Sequence, residues 1–161
     1  MSRIDVLLPL IGKLNYCWTN TESLLIYLIV HMMKCSKEAA IVVFLTLNTT
    51  RARLDLVERL AKMHAISVAD RNTILGITGR MKQEGKVRNK YNHSIYDFDE
   101  NGELESTQLL RIVEFGNDLK YGKVEELDNT EFQRLADTIE NISAINQDIW
   151  LFIRAKDIKD L

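Results

Sequence analysis

The chain has 161 residues, enough for one domain with a buried core, and 46% of them are hydrophobic against 27% charged. This balance excludes a wholly disordered protein, and the net charge of -2 excludes a broadly basic nucleic-acid-binding surface. Any affinity for nucleic acid must therefore come from a local cluster of basic residues.

Hydrophobic periodicity predicts three helices in the first part of the chain. The first runs from about Lys13 to Cys35 and is apolar on most of its circumference. Ser36 is placed to cap a second helix with the sequence SKEAAIVVFLTLN. Thr49 or Thr50 is placed to cap the third.

A fourth helix is predicted to open at Ser67 and to continue to about His93. The segment of about 94–115 contains the turn DENG, which predicts a β-hairpin or two short extended segments. The stretch over 116–127 reads as irregular. A last helix is then predicted to begin near Asp128 to Thr130.

The last helix carries apolar residues at alternating steps of three and four from Phe132 to Ile153, interrupted by Asn146. Such a narrow seam is typical of packing against one or two helices. The predicted fold class is therefore all-α. A bundle of about five helices forms a single domain over residues 1–161, with the hairpin or extended insertion before the last helix.

The sequence lacks the motifs that several classes of protein require. Segment GITGR does not have the lysine and hydroxyl residue of a phosphate-binding loop, and there is no HExxH or CxxC motif. Cys17 and Cys35 lie in apolar surroundings and are predicted to be buried thiols. With no signal peptide pattern and apolar runs of only about ten residues, we expect a cytoplasmic protein without membrane, metal or cofactor.

The stretch RNKYNH, Arg88 to His93, is the candidate site. Arginine carries a permanent planar charge that can bind a phosphate oxygen through two N–H donors. Histidine can take a proton from a ribose 2′-hydroxyl, or give one to the leaving oxygen, near neutral pH. The pair therefore fits cleavage of a phosphodiester bond in RNA, where the substrate supplies its own nucleophile.

Helix geometry constrains this pair. Residues five apart lie about 140° from each other on an ideal helix, whereas Asn89 and His93, four apart, share a face. Either the helix ends before His93, or Arg88 and His93 act on different substrate atoms.

Two structural alternatives compete with a site at Arg88. Arg59 and His64 have the same spacing, and the apolar face of their helix suggests that His64 is a packing or helix-terminal residue. Arg88 also falls on the apolar stripe of its helix, where it could be a buried arginine paired with a downstream acid.

The motif resembles the signature of the HEPN superfamily, all-helical domains with Arg-x4–6-His late in a helix. Asn89 matches the polar residue that commonly follows the arginine, YDFDENGEL resembles the extended acidic turn after the histidine, and WTNTESLLIYL resembles the amino-terminal half of uncharacterised bacterial members. The similarity covers most of the chain, but its specific part is the six-residue motif.

The resemblance implies a metal-independent endoribonuclease that acts as a homodimer, with two motifs across one groove. Arg88 and His93 would be catalytic and Asn89 would assist. Many members are toxins or parts of antiphage defence, so RNA and a protein antitoxin or regulator are the expected partners. This chain has Tyr96 three residues after the histidine rather than two, which departs from the subgroup modified on that tyrosine by a nucleotidyltransferase antitoxin.

Lys86, just before the motif, and Lys90 and Tyr91, within it, are the predicted substrate-binding residues. The alternative function is a catalytically inactive HEPN-like module that binds RNA or protein through the same basic patch. A third possibility is a structural dimer that associates through the apolar seam of the last helix.

Overall fold

Residues 2–159, which a computed structural model describes, form six α-helices and five β-strands. The helices are α1 Arg3–Ser23, α2 Leu25–Met33, α3 Lys37–Thr46, α4 Thr50–Ala61, α5 Val68–Asn92 and α6 Asn129–Ala155. The strands are β1 Ser94–Phe98, β2 Leu104–Leu109, β3 Ile112–Phe115, β4 Asp118–Tyr121 and β5 Val124–Glu126. The predicted all-α class is therefore wrong, and the fold is α+β.

The strands form two antiparallel sheets. One has three strands in the order β1-β2-β5, and the other is a two-stranded ribbon of β3 and β4. The β1–β2 hairpin lies within the predicted insertion. Strands β4 and β5, however, lie in residues 116–127, which the sequence predicts to be irregular. These strands have only three or four residues, too few for an alternating pattern to emerge.

The β3–β4 ribbon depends on two glycines. Gly116, with φ +60°, forms the two-residue turn with Asn117, a conformation that glycine adopts at no steric cost. At the base of the ribbon, a Cβ on Gly122 would lie 1.9 Å from the backbone oxygen of Leu109. Only glycine fits there, because the atom it would meet is backbone.

The first predicted helix is divided in the structure. It begins earlier, at Arg3, includes Pro9, and ends at Ser23, so that only Leu24 separates it from α2. At the break, Leu24 N donates to Thr21 O, and the Ser23 hydroxyl donates to Asn20 O at 2.7 Å. A serine that binds a nearby carbonyl competes with the helical pattern, which explains the interruption.

The predicted starts of the four later helices, α3 to α6, are confirmed. In each case a side-chain oxygen accepts from the backbone N–H three residues later, which satisfies a donor that the first turn leaves free. The caps and donors are Ser36 with Ala39 (3.2 Å), Thr49 with Ala52 (3.1 Å), Ser67 with Asp70 (3.1 Å) and Asp128 with Glu131 (2.9 Å). The fourth predicted helix, α5, ends at Asn92. Of the two geometric alternatives, the structure therefore shows the one in which the helix ends before His93.

The chain divides into two compact units, Met1–Tyr16 with Gly85–Glu140 and Cys17–Glu84 with Asn141–Leu161. Each has its own buried side chains. Those of the first unit include Leu7, Leu14, Val87, Tyr91, Leu104, Leu127, Leu135 and Ile139. Those of the second include Trp18, Leu28, Leu54, Val57, Ile74, Met81, Ile142 and Ile149. The single domain over 1–161 stays a prediction.

The apolar seam of α6 is internal. Its residues Leu135, Ile139, Ile142, Ile149 and Ile153 are at most 4% exposed, and Asn146 donates to the Thr21 hydroxyl at 3.1 Å. The seam is therefore used within the chain, which removes the structural dimer built on it. Both cysteines are unpaired and partly exposed, not buried as expected. Among the described residues, no helix has the length and apolarity to cross a membrane.

Candidate functional site

The candidate site lies where α5 ends. Arg88 and Asn89 belong to the last two turns of α5, Asn92 is its final residue, and His93 is the first residue beyond it. Asn15 of α1 lies beside Asn92. These five residues all belong to the first compact unit.

Amide side chains hold the Arg88 guanidinium. Its Nη1 donates to the Asn89 Oδ1 at 3.2 Å. The Asn92 amide satisfies both of its neighbours when its oxygen faces Arg88, where it accepts from Nε at 2.9 Å and Nη2 at 3.2 Å. The Asn92 nitrogen then donates to the Asn15 Oδ1 at 3.2 Å, and Asn15 is itself fixed by a bond to Ile11 O. We call Asn15, Arg88, Asn89 and Asn92 the Arg88 cluster.

No carboxylate neutralises Arg88 among the described residues. Other cations of the chain are paired with acids, as Arg53 is with Glu22 at 3.4 Å and Lys82 with Glu58 at 2.8 Å. Arg88 is half-buried and meets only neutral amides. The alternative of a buried arginine paired with a downstream acid therefore does not describe this residue. Its charge is oriented and available to an anion.

His93 has a fixed backbone and a free side chain. Its N–H donates to Asn89 O at 3.0 Å, and its carbonyl accepts from Leu110 N at 2.7 Å. The side chain is exposed and has no hydrogen-bond partner within the described part of the chain. An imidazole in this setting can reach a bound substrate without first breaking an internal bond.

Two hydroxyl groups from β1 complete the end of α5. Ser94 Oγ donates to Lys90 O at 2.6 Å, and Tyr96 OH donates to Tyr91 O at 2.8 Å. The last carbonyls of a helix have no partner within the helix, so these bonds stabilise its final turn. They also fix the point at which the chain turns toward His93.

Lys90 and Tyr91, both predicted to bind substrate, are occupied by internal contacts. The Lys90 ammonium binds Glu125 and Glu131, and its side chain is 18% exposed. Tyr91 is 3% exposed and donates to Glu131 at 3.1 Å. Burial, together with the nearby Glu131 charge, raises the pKa of Tyr91. Lys90 and Tyr91 therefore contribute to the fold through these internal contacts. Among the three predicted substrate contacts only Lys86 is exposed.

The carboxylates of this group respond to Lys90. The hydrogen bond from Lys90 lowers the pKa of Glu125, against the opposing effect of burial. Burial raises the pKa of Glu131, but the bond and charge of Lys90, with the Tyr91 hydroxyl, more than offset it and lower the pKa overall. Both carboxylates therefore stay ionised near neutral pH, and through Lys90 they tie α5 to β5 and α6.

The second Arg-x4-His pair, Arg59 and His64, has no amide side chains arranged around its arginine as Arg88 has. Arg59 lies near the end of α4, and His64 lies in the turn beyond it. Both side chains are exposed, and α4 ends at Ala61, so of the two alternatives for His64, packing or a place at the helix end, the structure excludes packing. This pair matches the first in sequence spacing but lacks the amides.

Asn15 and Asn92 are the two members of the Arg88 cluster that the sequence did not predict. Asn92 lies four residues after Arg88, a spacing that puts two side chains on one helix face, so the motif itself contained that signal. Asn15 is 77 residues from Asn92, and no local pattern marks it.

Within residues 2–159, no three histidine, cysteine, aspartate or glutamate side chains gather as a possible metal site. Comparison of the chain with protein-family models, with characterised proteins and with solved structures finds no match.

Proposed function

We propose that the protein is an endoribonuclease of the HEPN type, with Arg88 and His93 as its catalytic residues. The observation that carries the proposal is the Arg88 guanidinium, held by amides and not neutralised by any carboxylate of the described chain. A fixed and uncompensated arginine is suited to bind a phosphate through two N–H donors.

In the proposed reaction the ribose 2′-oxygen attacks the adjacent phosphorus, and the bond to the 5′-oxygen breaks. The products are a 2′,3′-cyclic phosphate and a 5′-hydroxyl end. Arg88 stabilises the charge that develops on the non-bridging oxygens. His93 takes the proton of the 2′-hydroxyl or delivers one to the leaving oxygen. No metal is required by this chemistry, because the nucleophile belongs to the substrate.

Asn89 has a revised part in this proposal. Its oxygen accepts from Arg88, so it orients the guanidinium rather than contacting the reacting atoms. Lys86, which is exposed on the same helix, supplies the second phosphate contact. Lys90 and Tyr91 support the end of α5 from within the fold.

The resemblance to the HEPN superfamily supports the remaining parts of the proposal. They are a homodimer that places two motifs across one groove and a protein antitoxin or regulator that controls the activity. A location in the cytoplasm is proposed on a different ground, because the apolar runs of the sequence reach only about ten residues.

A catalytically inactive module that binds RNA or protein is the second candidate. The neutralised Lys90 and the buried Tyr91 favour it, because they remove two of three predicted substrate contacts. The two candidates share Arg88 and differ in whether His93 moves a proton.

The deciding experiment compares cleavage of labelled single-stranded RNA, with chelator present, by the wild type and four variants. Arg88→Ala and His93→Ala should each lower the rate by roughly 10²- to 10⁴-fold. Arg59→Ala and His64→Ala are the matched controls, since that pair has the same spacing at another exposed helix end, and both should cleave as the wild type does. A deoxyribose at the cleaved position should block the reaction.

Equal cleavage by the wild type and all four variants would remove the assignment. Loss of cleavage in Arg59→Ala or His64→Ala, with folding intact, would move the site to the second pair. Binding of RNA by the wild type without cleavage, weakened by Arg88→Ala alone, would establish the inactive module instead.

A further inference from the structure

The β3–β4 ribbon exposes an unusual amount of apolar surface. All eight of its residues are exposed. Ile112 is 62% exposed, Phe115 67%, Leu119 52% and Tyr121 66%. A two-stranded ribbon is marginally stable by itself in water, and such a cluster of apolar side chains commonly marks a contact surface.

The outer edge of β4 is open in the described chain. The ribbon has two strands only, so β4 pairs with β3 on one side and with nothing on the other. The backbone N–H and C=O groups along such an edge are a template for another strand. Neither proline nor a buried charge blocks the edge, because the strand reads Asp118-Leu119-Lys120-Tyr121.

Symmetry restricts how this edge could pair with its own copy. Two identical antiparallel strands related by a two-fold axis must place one residue opposite itself, because the axis is perpendicular to the sheet and side chains alternate between its faces. Centring β4 on Asp118 or on Lys120 would oppose two like charges. Centring it on Leu119 places each Asp118 opposite a Lys120 of the other copy, twice over.

The edge of β3 offers no such arrangement. Its only charged residue is Glu114, so a two-fold axis at Glu114 opposes two carboxylates. An axis at Val113 places each Glu114 against Ile112 of the other copy. Charge complementarity therefore distinguishes β4 from β3 as a self-pairing edge.

We propose that β4 pairs with β4 of a second copy of this chain, with Leu119 opposite Leu119. The result is a continuous four-stranded antiparallel sheet in the order β3-β4-β4-β3. The β3–β4 register puts Leu119 opposite Glu114, on one face with Ile112 and Tyr121. That face gains a central apolar contact between the two copies.

The opposite face carries the two reciprocal ion pairs. Asp118 and Lys120 have no ion pair within the described chain. The Lys120 ammonium lies over the Phe115 ring, 4.9 Å from its centroid. Each Asp118 of the second copy adds a carboxylate to an ammonium that an aromatic ring already positions. This contact is independent of the proposed ribonuclease activity, since it uses no residue of the Arg88 cluster.

Charge reversal tests the register. Asp118→Lys and Lys120→Asp, each alone, replace two attractive pairs by two repulsive ones, and should weaken dimerisation at least about tenfold in sedimentation measurements. The double variant Asp118→Lys/Lys120→Asp restores opposite charges in the same positions, and should regain the wild-type association. Glu114→Lys is the control, since it reverses a charge on the ribbon one strand away from the paired edge.

Cross-linking tests the position of the axis. In a Cys17→Ser/Cys35→Ser background, Leu119→Cys should form a disulfide-linked dimer under mild oxidation, because directly opposite residues have Cα atoms about 4.5–5.5 Å apart. Tyr121→Cys should not, because the same register separates the two copies of residue 121 by about 13 Å along the strands.

A wild-type chain that stays monomeric at about 0.1 mM overturns the proposal. So does a dimer that tolerates both single reversals, which would be held by another surface. A double variant that folds but fails to regain association also overturns it, because reciprocal pairing would then be absent and a different partner protein would fit the edge better.

Discussion

Two basic residues of α5, two positions apart, differ in what their charges can do. Lys90 is held between Glu125 and Glu131, so its charge is neutralised within the fold. Arg88 is held by the amides of Asn89 and Asn92, so it keeps its charge while losing freedom of orientation. A count of basic residues along the sequence does not distinguish the two. A phosphate would be attracted to Arg88, whereas the charge of Lys90 is already balanced by two carboxylates.

The most informative substitution at the residue scale is Asn92→Asp. A carboxylate there would pair with Arg88, so the guanidinium would stay in place and keep its charge, but the pair would carry no net charge. We expect affinity for single-stranded RNA to fall about tenfold, while the free energy of unfolding changes by less than about 1 kcal/mol. Fluorescence anisotropy in a His93→Ala background measures binding without cleavage.

Asn92→Ala provides the comparison, because it removes the acceptor and leaves the charge of Arg88 intact. Its effect on RNA affinity should be smaller than that of Asn92→Asp. An Asn92→Asp variant that binds RNA as the wild type does would mean that Arg88 contacts no phosphate.

At the scale of elements, the end of α5 is fastened from two sides. Ser94 and Tyr96 of β1 bind the carbonyls of its last turn, while Glu125 of β5 and Glu131 of α6 bind Lys90. The three-stranded sheet therefore fixes the position at which His93 leaves the helix. Strand β1, predicted from the sequence to be part of an insertion, thus stabilises the end of the helix that carries Arg88.

Lys90→Met should reveal this support as a pH-dependent loss of stability. Both glutamates have folded-state pKa values below the usual 4.5, so their contribution is complete above about pH 4.5 and is lost as the pH falls through the lowered values. At neutral pH we expect the variant to be roughly 2–3 kcal/mol less stable, below the cost of breaking a fully buried pair because these side chains are 17–27% exposed.

Urea unfolding of the wild type and Lys90→Met at about pH 7 and about pH 3.5 measures the effect, and the difference should shrink at the lower pH. Lys86→Met, on the exposed face of the same helix, should have the same free energy of unfolding as the wild type at both pH values. A difference that is independent of pH would mean that Lys90 stabilises through packing alone.

The elements that could be predicted are those specified by neighbouring residues. Ser36, Thr49, Ser67 and Asp128 cap helices through contacts three residues away, and such signals are legible in sequence. The strands β4 and β5 could not be predicted, because strands of three or four residues are stabilised by their pairing partners. Within the site, Arg88 and His93 were marked by spacing, but Asn15 is brought to them by tertiary structure.

At the scale of the whole molecule, the net charge of -2 limits how RNA could be held. Without a broadly basic surface, binding must depend on the few free cations near the site, Lys86 and Arg88. The salt dependence of affinity counts such contacts, because each neutralised phosphate releases condensed counterions.

We therefore expect a shallow salt dependence for a short single-stranded RNA bound to His93→Ala. Two phosphate contacts give a slope of about -1.4 in a plot of log affinity against log salt concentration. Lys86→Ala should reduce the slope by about 0.7, whereas Lys62→Ala, exposed beyond α4, should leave it unchanged. A slope near zero would exclude phosphate contacts at this site.

The bond between Asn15 and Asn92 also has a consequence for folding kinetics. It joins residues 77 positions apart, so the chain must close a long loop before Asn15 reaches Asn92. Helix α5 can form locally and early and carries Asn89 and Asn92 beside Arg88, yet the Asn92 amide is held by Asn15 only when α1 has docked. RNA cleavage during refolding should therefore appear later than helical circular dichroism, and the delay between the two signals would time the docking of α1.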